Sequence, residues 1–192
     1  MPNRIRDRLG LRAATVLLAA LALTQLGMLY RRNPKPPSVV TPGAHYGRIA
    51  VVDKGIPVSL DFARVPACTF VVFMMPTCPT CEHEASRWAT AFGDSGSWNG
   101  IVVSFADWAS SREFADSHKL SAPLFAVEND RMDVVHALHV PSVPTLVVMG
   151  TGGVVKSVAA PGASLDSLAH ATSCPRRAPV APHPGTTAAS GP

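Results

Sequence analysis

Charge is scarce in this chain: Lys, Arg, Asp and Glu make up 16% of its 192 residues, against about 25% in an ordinary soluble domain. With 47% apolar residues, the length suffices for one buried core, so one domain is expected. One long, mostly apolar run, residues 13–30, AATVLLAALALTQLGMLY, carries no charge over 18 positions. At about 1.5 Å per residue that run is long enough to cross a bilayer as a helix. Arg4, Arg6, Arg8 and Arg12 precede it, and Arg31, Arg32 and Lys35 follow it. This bias favours a cytoplasmic N-terminus and an exported remainder. A cleaved signal peptide is the competing reading, because Ala20-Leu21-Ala22 has the small-x-small form of a cleavage site. The uncut anchor is preferred, since the apolar run continues past Ala22.

A basic surplus is missing where a nucleic-acid surface would need it. The whole chain is formally +4, yet only eight of its 17 Lys and Arg fall within 45–174, against 12 of its 13 Asp and Glu. The middle is therefore mildly acidic, and the basic residues speak for membrane topology and anionic lipid rather than nucleic acid. Bulky apolar residues are nearly absent from 175–192, PRRAPVAPHPGTTAASGP, which reads as a disordered tail. Residues 31–44 hold NPKPPSVVTPG, with four prolines in 11 positions, a composition for a stiff linker and not for helix or central strand. The expected organisation is a basic cytoplasmic N-terminus (1–12), an anchor or uncleaved signal (13–30), a linker (31–44), a domain (45–174) and a tail (175–192). No internal repeat is present.

Cysteine is also sparse, with four in all, and only Cys78 and Cys81 form a C-x-x-C pair. No second C-x-x-C or H-x-x-H stands in usable order for structural zinc. A site built on Cys78, Cys81 and His83 has His136 and His139 as its only reinforcement, so no metal and no cofactor are expected. Three readings of the pair remain: a redox couple, half of a metal site, or a structural bridge.

Within the domain the elements alternate. Gly47 to Val52 and Pro57 to Phe62, around Lys54-Gly55, read as a hairpin. TFVVFMM, Thr69 to Met75, is a continuous apolar run suited to a strand covered on both faces. The Cys pair follows, then Ala85, Trp88, Ala89 and Phe92 at helical spacing until Gly93. Ile101 to Phe105 predicts a strand, Ser110 to Lys119 a helix, Leu124 to Val127 a strand and Asp130 to His139 a helix. Thr145 to Met149 and Val154 to Val158 make an antiparallel pair, and Ser164 to Ala171 the last helix. Alternation followed by a hairpin implies an α/β fold, a mixed central sheet with helices on both faces.

From Gly47 to Ala171 this order resembles the thioredoxin-like fold of membrane-anchored, exported thiol–disulfide oxidoreductases of the TlpA and ResA type. The resemblance rests on CPTC at Cys78 to Cys81, on Val143-Pro144-Thr145, and on the strand, glycine turn and helix that follow. The PTCPTC form is also similar to MauD, the methylamine-utilisation accessory protein. Two positions depart from the pattern: Met75-Pro76-Thr77 stand where such proteins carry Trp, and Val72 occupies the place of thioredoxin's buried acid. They leave the direction of electron flow open.

Chemistry supports the resemblance at Cys78. A thiol at a helix start meets unpaired N–H groups and the positive end of the helix dipole, which favour thiolate. Pro79 suits the first helical position, where its missing N–H costs nothing. Cys78 is then the attacking nucleophile and Cys81 the resolving sulfur. Glu82 and Glu84 oppose a thiolate if close, or support the first helical turn. The resembled fold implies that Pro144 is a cis proline facing the motif, with Val143 offering backbone groups to an extended substrate. It also places Cys68 and Cys174 together at the far pole, as a structural disulfide closing a loop of about 100 residues, worth about 4 to 5 kcal/mol in chain entropy.

The expected protein is a single-pass component of a bacterial inner membrane, with its domain facing the periplasm and anchored in lipid through residues 13–30. Its partners would be exported proteins with cysteines or a disulfide, with room for a membrane redox partner and none for nucleic acid. The resemblance implies either reduction of client cysteines, as in cytochrome c maturation, or disulfide formation in a dedicated client. The alternatives are a non-catalytic binding or chaperone module and a metal carrier.

Overall fold

The computed structural model describes Leu21, Leu23 to Gln25, and residues 39–128 and 132–177. Two compact units divide the chain, Met1–Pro37 and Ser38–Pro192. In the first, Leu21 and Leu23 to Gln25 are helical. The rest of the expected anchor, the basic N-terminus and the tail beyond Arg177 lie outside the described residues. Among the described residues no helix is long and apolar enough to cross a membrane, so a transmembrane helix remains an expectation.

The second unit is built on strand β3 (Thr69–Met74), all six of whose residues are buried. A strand without a solvent face needs neighbours on both edges and cover on both faces. Its edges pair with β4 (Asn99–Ser104) in parallel and β6 (Thr145–Met149) antiparallel. β5 (Leu124–Ala126) extends the parallel part, and β7 (Val155–Ala159) the antiparallel part. The expected hairpin, β1 (Arg48–Asp53) with β2 (Ile56–Asp61), joins β5 through one pair, Val52 opposite Ala126. The order is β2-β1-β5-β4-β3-β6-β7, one mixed seven-stranded sheet.

Period-two alternation along β3 divides the core in two. Phe70, Val72 and Met74 point to one face, packed among residues of α1 (Pro79–Phe92), α2 (Trp108–Ser117) and α4 (Leu165–Ala171). Val71 and Phe73 point to the other, where α3 (Met132–Ala137) and the segment before β1 lie. The helices carried by the two parallel crossovers, α1 and α2, fall on the same face because strand twist gives such connections one hand.

Several boundaries differ from expectation for local reasons. The helix expected from Ser110 begins at Trp108, because the Asp107 carboxylate caps it, accepting the Ser110 N–H at 2.9 Å and the Ser110 hydroxyl at 2.8 Å. The helix expected over Asp130 to His139 is described as Met132–Ala137, residues 129–131 lying outside the described set. Part of the stretch read as linker belongs to the domain: Val40 is buried, its N–H donates to the His139 carbonyl at 2.9 Å, and the Gly43 N–H donates to the Val155 carbonyl at 2.8 Å. At the other end Arg176 pairs with Asp166 at 2.8 Å and lies over the Trp98 ring, and the Arg177 N–H donates to the Ser97 carbonyl.

Gly100 in β4 shows how closely α1 is seated. A Cβ there would stand 2.2 Å from the Phe92 ring, at the end of α1. Gly100→Ala is therefore expected to cost about 1 to 3 kcal/mol by overpacking, with the smaller Phe92→Leu restoring part of it. Urea unfolding checks this as a lowered midpoint with an unchanged slope.

Candidate active site

The site begins where β3 runs out. After Met74 the chain turns through Met75-Pro76-Thr77, and the Cys78 N–H donates back to the Met75 carbonyl at 3.1 Å. Cys78 is the N-cap of α1, extended at φ −88° and ψ 115°, with Pro79 in the first helical turn. Its sulfur accepts the Cys81 N–H at 3.4 Å, as a Ser or Asp oxygen would at this position. The local sequence dictates this much: a strand end, a capping atom and a proline whose φ suits the helix.

The two sulfurs have different surroundings. Cys78 is partly exposed, whereas Cys81 is fully buried, facing the core face of α1 among Val72, Met74, Ala85 and Trp88. Burial pushes the Cys81 thiol up to about 12, against an ordinary value of 9.0; a hydrogen bond from the Met75 backbone opposes the rise and the neighbouring Cys78 adds to it. A buried thiol is poorly hydrated as an anion, so the proton stays until something else stabilises the charge.

Across from Cys78 lies the loop between α3 and β6. Its Val143–Pro144 peptide bond is cis, and the Cys78 thiol donates to the Val143 carbonyl at 3.7 Å. The Thr145 hydroxyl donates to the Ser142 carbonyl at 2.7 Å, closing the loop on itself just before β6. The pair Cys78 and Cys81 and the pair Val143 and Pro144, which stand at least 62 residues apart in the sequence, thus lie together. Cys68 and Cys174 lie elsewhere. They are joined as a disulfide with a Cα–Cα distance of 5.3 Å, Cys68 at the start of β3 and Cys78 beyond its end. Six strand residues, about 20 Å, separate the two.

Glu82 and His83 are exposed on α1, but Glu84 is buried. Its carboxylate pairs with Arg87 at 2.9 Å, and the Arg87 guanidinium also donates to the Ala163 carbonyl at 2.7 Å. The pair ties α1 to the loop between β7 and α4. The sequence alone suggests for Glu84 either opposition to the thiolate or support of the first helical turn, and does not single out Arg87. The signal was there, an acid and an arginine three apart on one helix, but spacing does not tell which such pair is buried.

Among the described residues no three His, Cys, Asp or Glu side chains converge as a metal would require. A cavity of about 940 Å³ opens at the Cys68 pole between Arg48, Asp61, Thr69, Asn99 and Arg177, and neither Cys78 nor Cys81 lines it. A crevice of about 10 Å³ beside Pro144 is walled by Glu84, Arg87 and Ala160 among others, no larger than a water needs. Sulfur geometry, rather than cavity size, marks the candidate site.

The fold that carries this candidate site recurs in solved proteins. The thioredoxin domain of a thiol-disulfide oxidoreductase from Bacteroides vulgatus matches with a TM-score of 0.54 and 20% identity, over 64% of this chain and 91% of that one. A secreted Mycobacterium tuberculosis disulfide oxidoreductase homologous to E. coli DsbE matches at 0.51 and 19%, over 65% and 94%. A thio-disulfide isomerase from Thermus thermophilus matches at 0.52 and 23%, over 69% and 97%. No protein-family model matches the chain, and no curated protein matches it in sequence. At these identities the likeness establishes the fold: the chain has a thioredoxin-like domain, an α/β fold with a mixed sheet.

Two outcomes follow from the site. Below pH 9 folded and unfolded reduced protein both keep the Cys81 proton, whereas between about 9 and 12 only the folded protein does. Stability should fall through that window by up to about 1.4 kcal/mol per pH unit, and Cys81→Ala should remove that component of the slope in denaturant titrations at successive pH. Separately, Arg87→Met leaves the Glu84 carboxylate buried without its cation and should cost about 1 to 3 kcal/mol. The double variant with Glu84→Gln should recover much of this, a coupling that a double-mutant cycle reads directly.

Proposed function

We propose that this protein is an exported, membrane-tethered thiol–disulfide oxidoreductase that acts on cysteines of other exported proteins. The observation that carries the reading is the unequal pair: a partly exposed Cys78 sulfur at the helix cap, and a fully buried Cys81 three residues on. In the reducing direction the Cys78 thiolate attacks one sulfur of a client disulfide, forming a mixed disulfide and releasing the other client sulfur as thiolate. Cys81 then loses its proton and attacks the Cys78 sulfur. The Cys78–Cys81 bond forms, the client leaves as a dithiol, and two electrons have passed to it. The reverse sequence oxidises a client dithiol.

Burial of Cys81 suits the resolving role, because a thiol that holds its proton does not compete for the client before the mixed disulfide exists. The Val143 carbonyl beside Cys78 and the cis Pro144 form an edge along which an extended client strand can lie, Val143 supplying backbone hydrogen bonds. Cys68 and Cys174, joined at the far pole, act as a structural staple and take no part in exchange. An anchor at residues 13–30 would hold the domain against the bilayer on the periplasmic side. The secreted Mycobacterium tuberculosis neighbour supports export. The client is either a protein whose cysteines are kept reduced, as for cytochrome c assembly, or one dedicated partner matured by disulfide formation in the manner of MauD. A membrane redox partner would reset the pair.

Equilibration in glutathione buffers, with acid trapping of both cysteines, tests activity and direction together. Wild type should interconvert between dithiol and Cys78–Cys81 disulfide, and Cys81→Ala should accumulate a Cys78–glutathione mixed disulfide. Cys78→Ser should do neither; exchange that persists at wild-type rate in Cys78→Ser would falsify the proposal. The midpoint gives the direction, 30 mV corresponding to about 1.4 kcal/mol for this couple.

A further inference from the structure

We infer that Tyr46 is a positioning residue for the Val143 carbonyl, a strut that sets the cis-proline loop against Cys78 through the end of α3; this rests on the exchange reaction proposed above. The loop from Val140 to Pro144 lies between α3 and β6 with no regular structure of its own. Its far end is held by the sheet, since Thr145 pairs with Phe73 and its hydroxyl bonds the Ser142 carbonyl. Its near end depends on α3, whose six described residues make a segment too short to be stable by itself. Where α3 stops, His139 turns left-handed at φ +52°, and two carbonyls at that turn are taken by the segment preceding β1. The Tyr46 hydroxyl donates to the Leu138 carbonyl at 2.9 Å, and the Val40 N–H to the His139 carbonyl at 2.9 Å.

Tyr46 is itself immobilised. It is 4% exposed, and its N–H donates to the Gly153 carbonyl at 2.9 Å. Its ring packs 5.2 Å from Phe62 and edge-on to Phe73 at 5.9 Å. Burial pushes the phenol's titration upward, so the hydroxyl remains a donor throughout the neutral range. Phe73 lies on β3, the strand that ends at the Cys78 turn. One side chain therefore spans from the strand that delivers the cysteine to the helix end that delivers the carbonyl, and both sides of the Cys78 to Val143 contact are referred to the same strand. Removing the hydroxyl alone keeps the ring packing and strips a buried carbonyl of its partner, which loosens the loop at one end only.

The full-length protein carrying Tyr46→Phe tests this, beside Phe62→Leu, which loosens the same aromatic packing but keeps the hydroxyl. In Tyr46→Phe, amide hydrogen exchange over residues 138–145 should quicken about fivefold, the loss expected for one buried hydrogen bond. KM for a disulfide-bonded peptide should rise about fivefold with kcat little changed, and alkylation of Cys78 by iodoacetamide should stay within about twofold of wild type. Phe62→Leu should lower overall stability without either selective change. Loop exchange left unaltered by Tyr46→Phe, equal effects in both variants, or a loosened loop with KM unmoved would each overturn the inference. If wild type does not exchange disulfides at all, it is the proposed reaction that fails, and the loop measurement alone decides whether Tyr46 is the strut.

Discussion

Strand β3 is covered on both faces and paired on both edges, so its backbone groups and its side chains are all committed before the chain reaches Pro76. A strand held in this way ends at a definite point in space. The next residues must leave the sheet, and Cys78 is the atom set at the departure, capping the helix that covers the Phe70, Val72 and Met74 face. β6, on the neighbouring edge, is in register with the same strand, Thr145 opposite Phe73. Val143, two residues before that strand begins, is thereby brought beside the same exit. The pairing of β3 with β6 is what turns two distant motifs into one site.

The two sulfurs differ because a helix start offers two kinds of position three residues apart. The cap position projects past the end of the helix, where backbone N–H groups are unpaired. The third helical residue lies on the inner face, where α1 packs against the sheet. The same packing explains Glu84, one more turn along that inner face, which has a cation and a carbonyl within reach through Arg87. A buried carboxylate left without such partners would not remain buried. Polar order on α1 thus runs from a capping sulfur to a buried thiol to an ion pair that grips the β7–α4 loop.

Much of the fold was legible because β3, β4, β6 and α1 carry strong patterns. TLVVM predicts a strand over Thr145 to Met149 and forms one, since a short apolar run after a proline has little else to become. Boundaries were less legible where one side chain decides them. Asp107 starts α2 two residues before the expected Ser110 because its carboxylate caps two groups at once. Val40 and Ala44 looked like linker because four prolines surround them, yet backbone groups of the folded domain needed partners that this segment supplies, the Val155 N–H reaching the Ala44 carbonyl. Proline content says where helices and central strands are excluded, and it leaves open whether an extended segment packs.

The cysteine pair, its spacing, the proline at the helix start and the later Val143-Pro144-Thr145 are properties of the sequence, legible because each depends on neighbours within a few residues. Which sulfur is exposed, which acid is buried, and what holds the Val143 carbonyl 3.7 Å from Cys78 depend on contacts between residues far apart in the chain. Tyr46 and Leu138 are 92 positions apart, and nothing local to either predicts the bond between them. Only the closing of the sheet around β3 put the hydroxyl and the carbonyl within reach, because burial is a property of the assembled layers and not of any one segment.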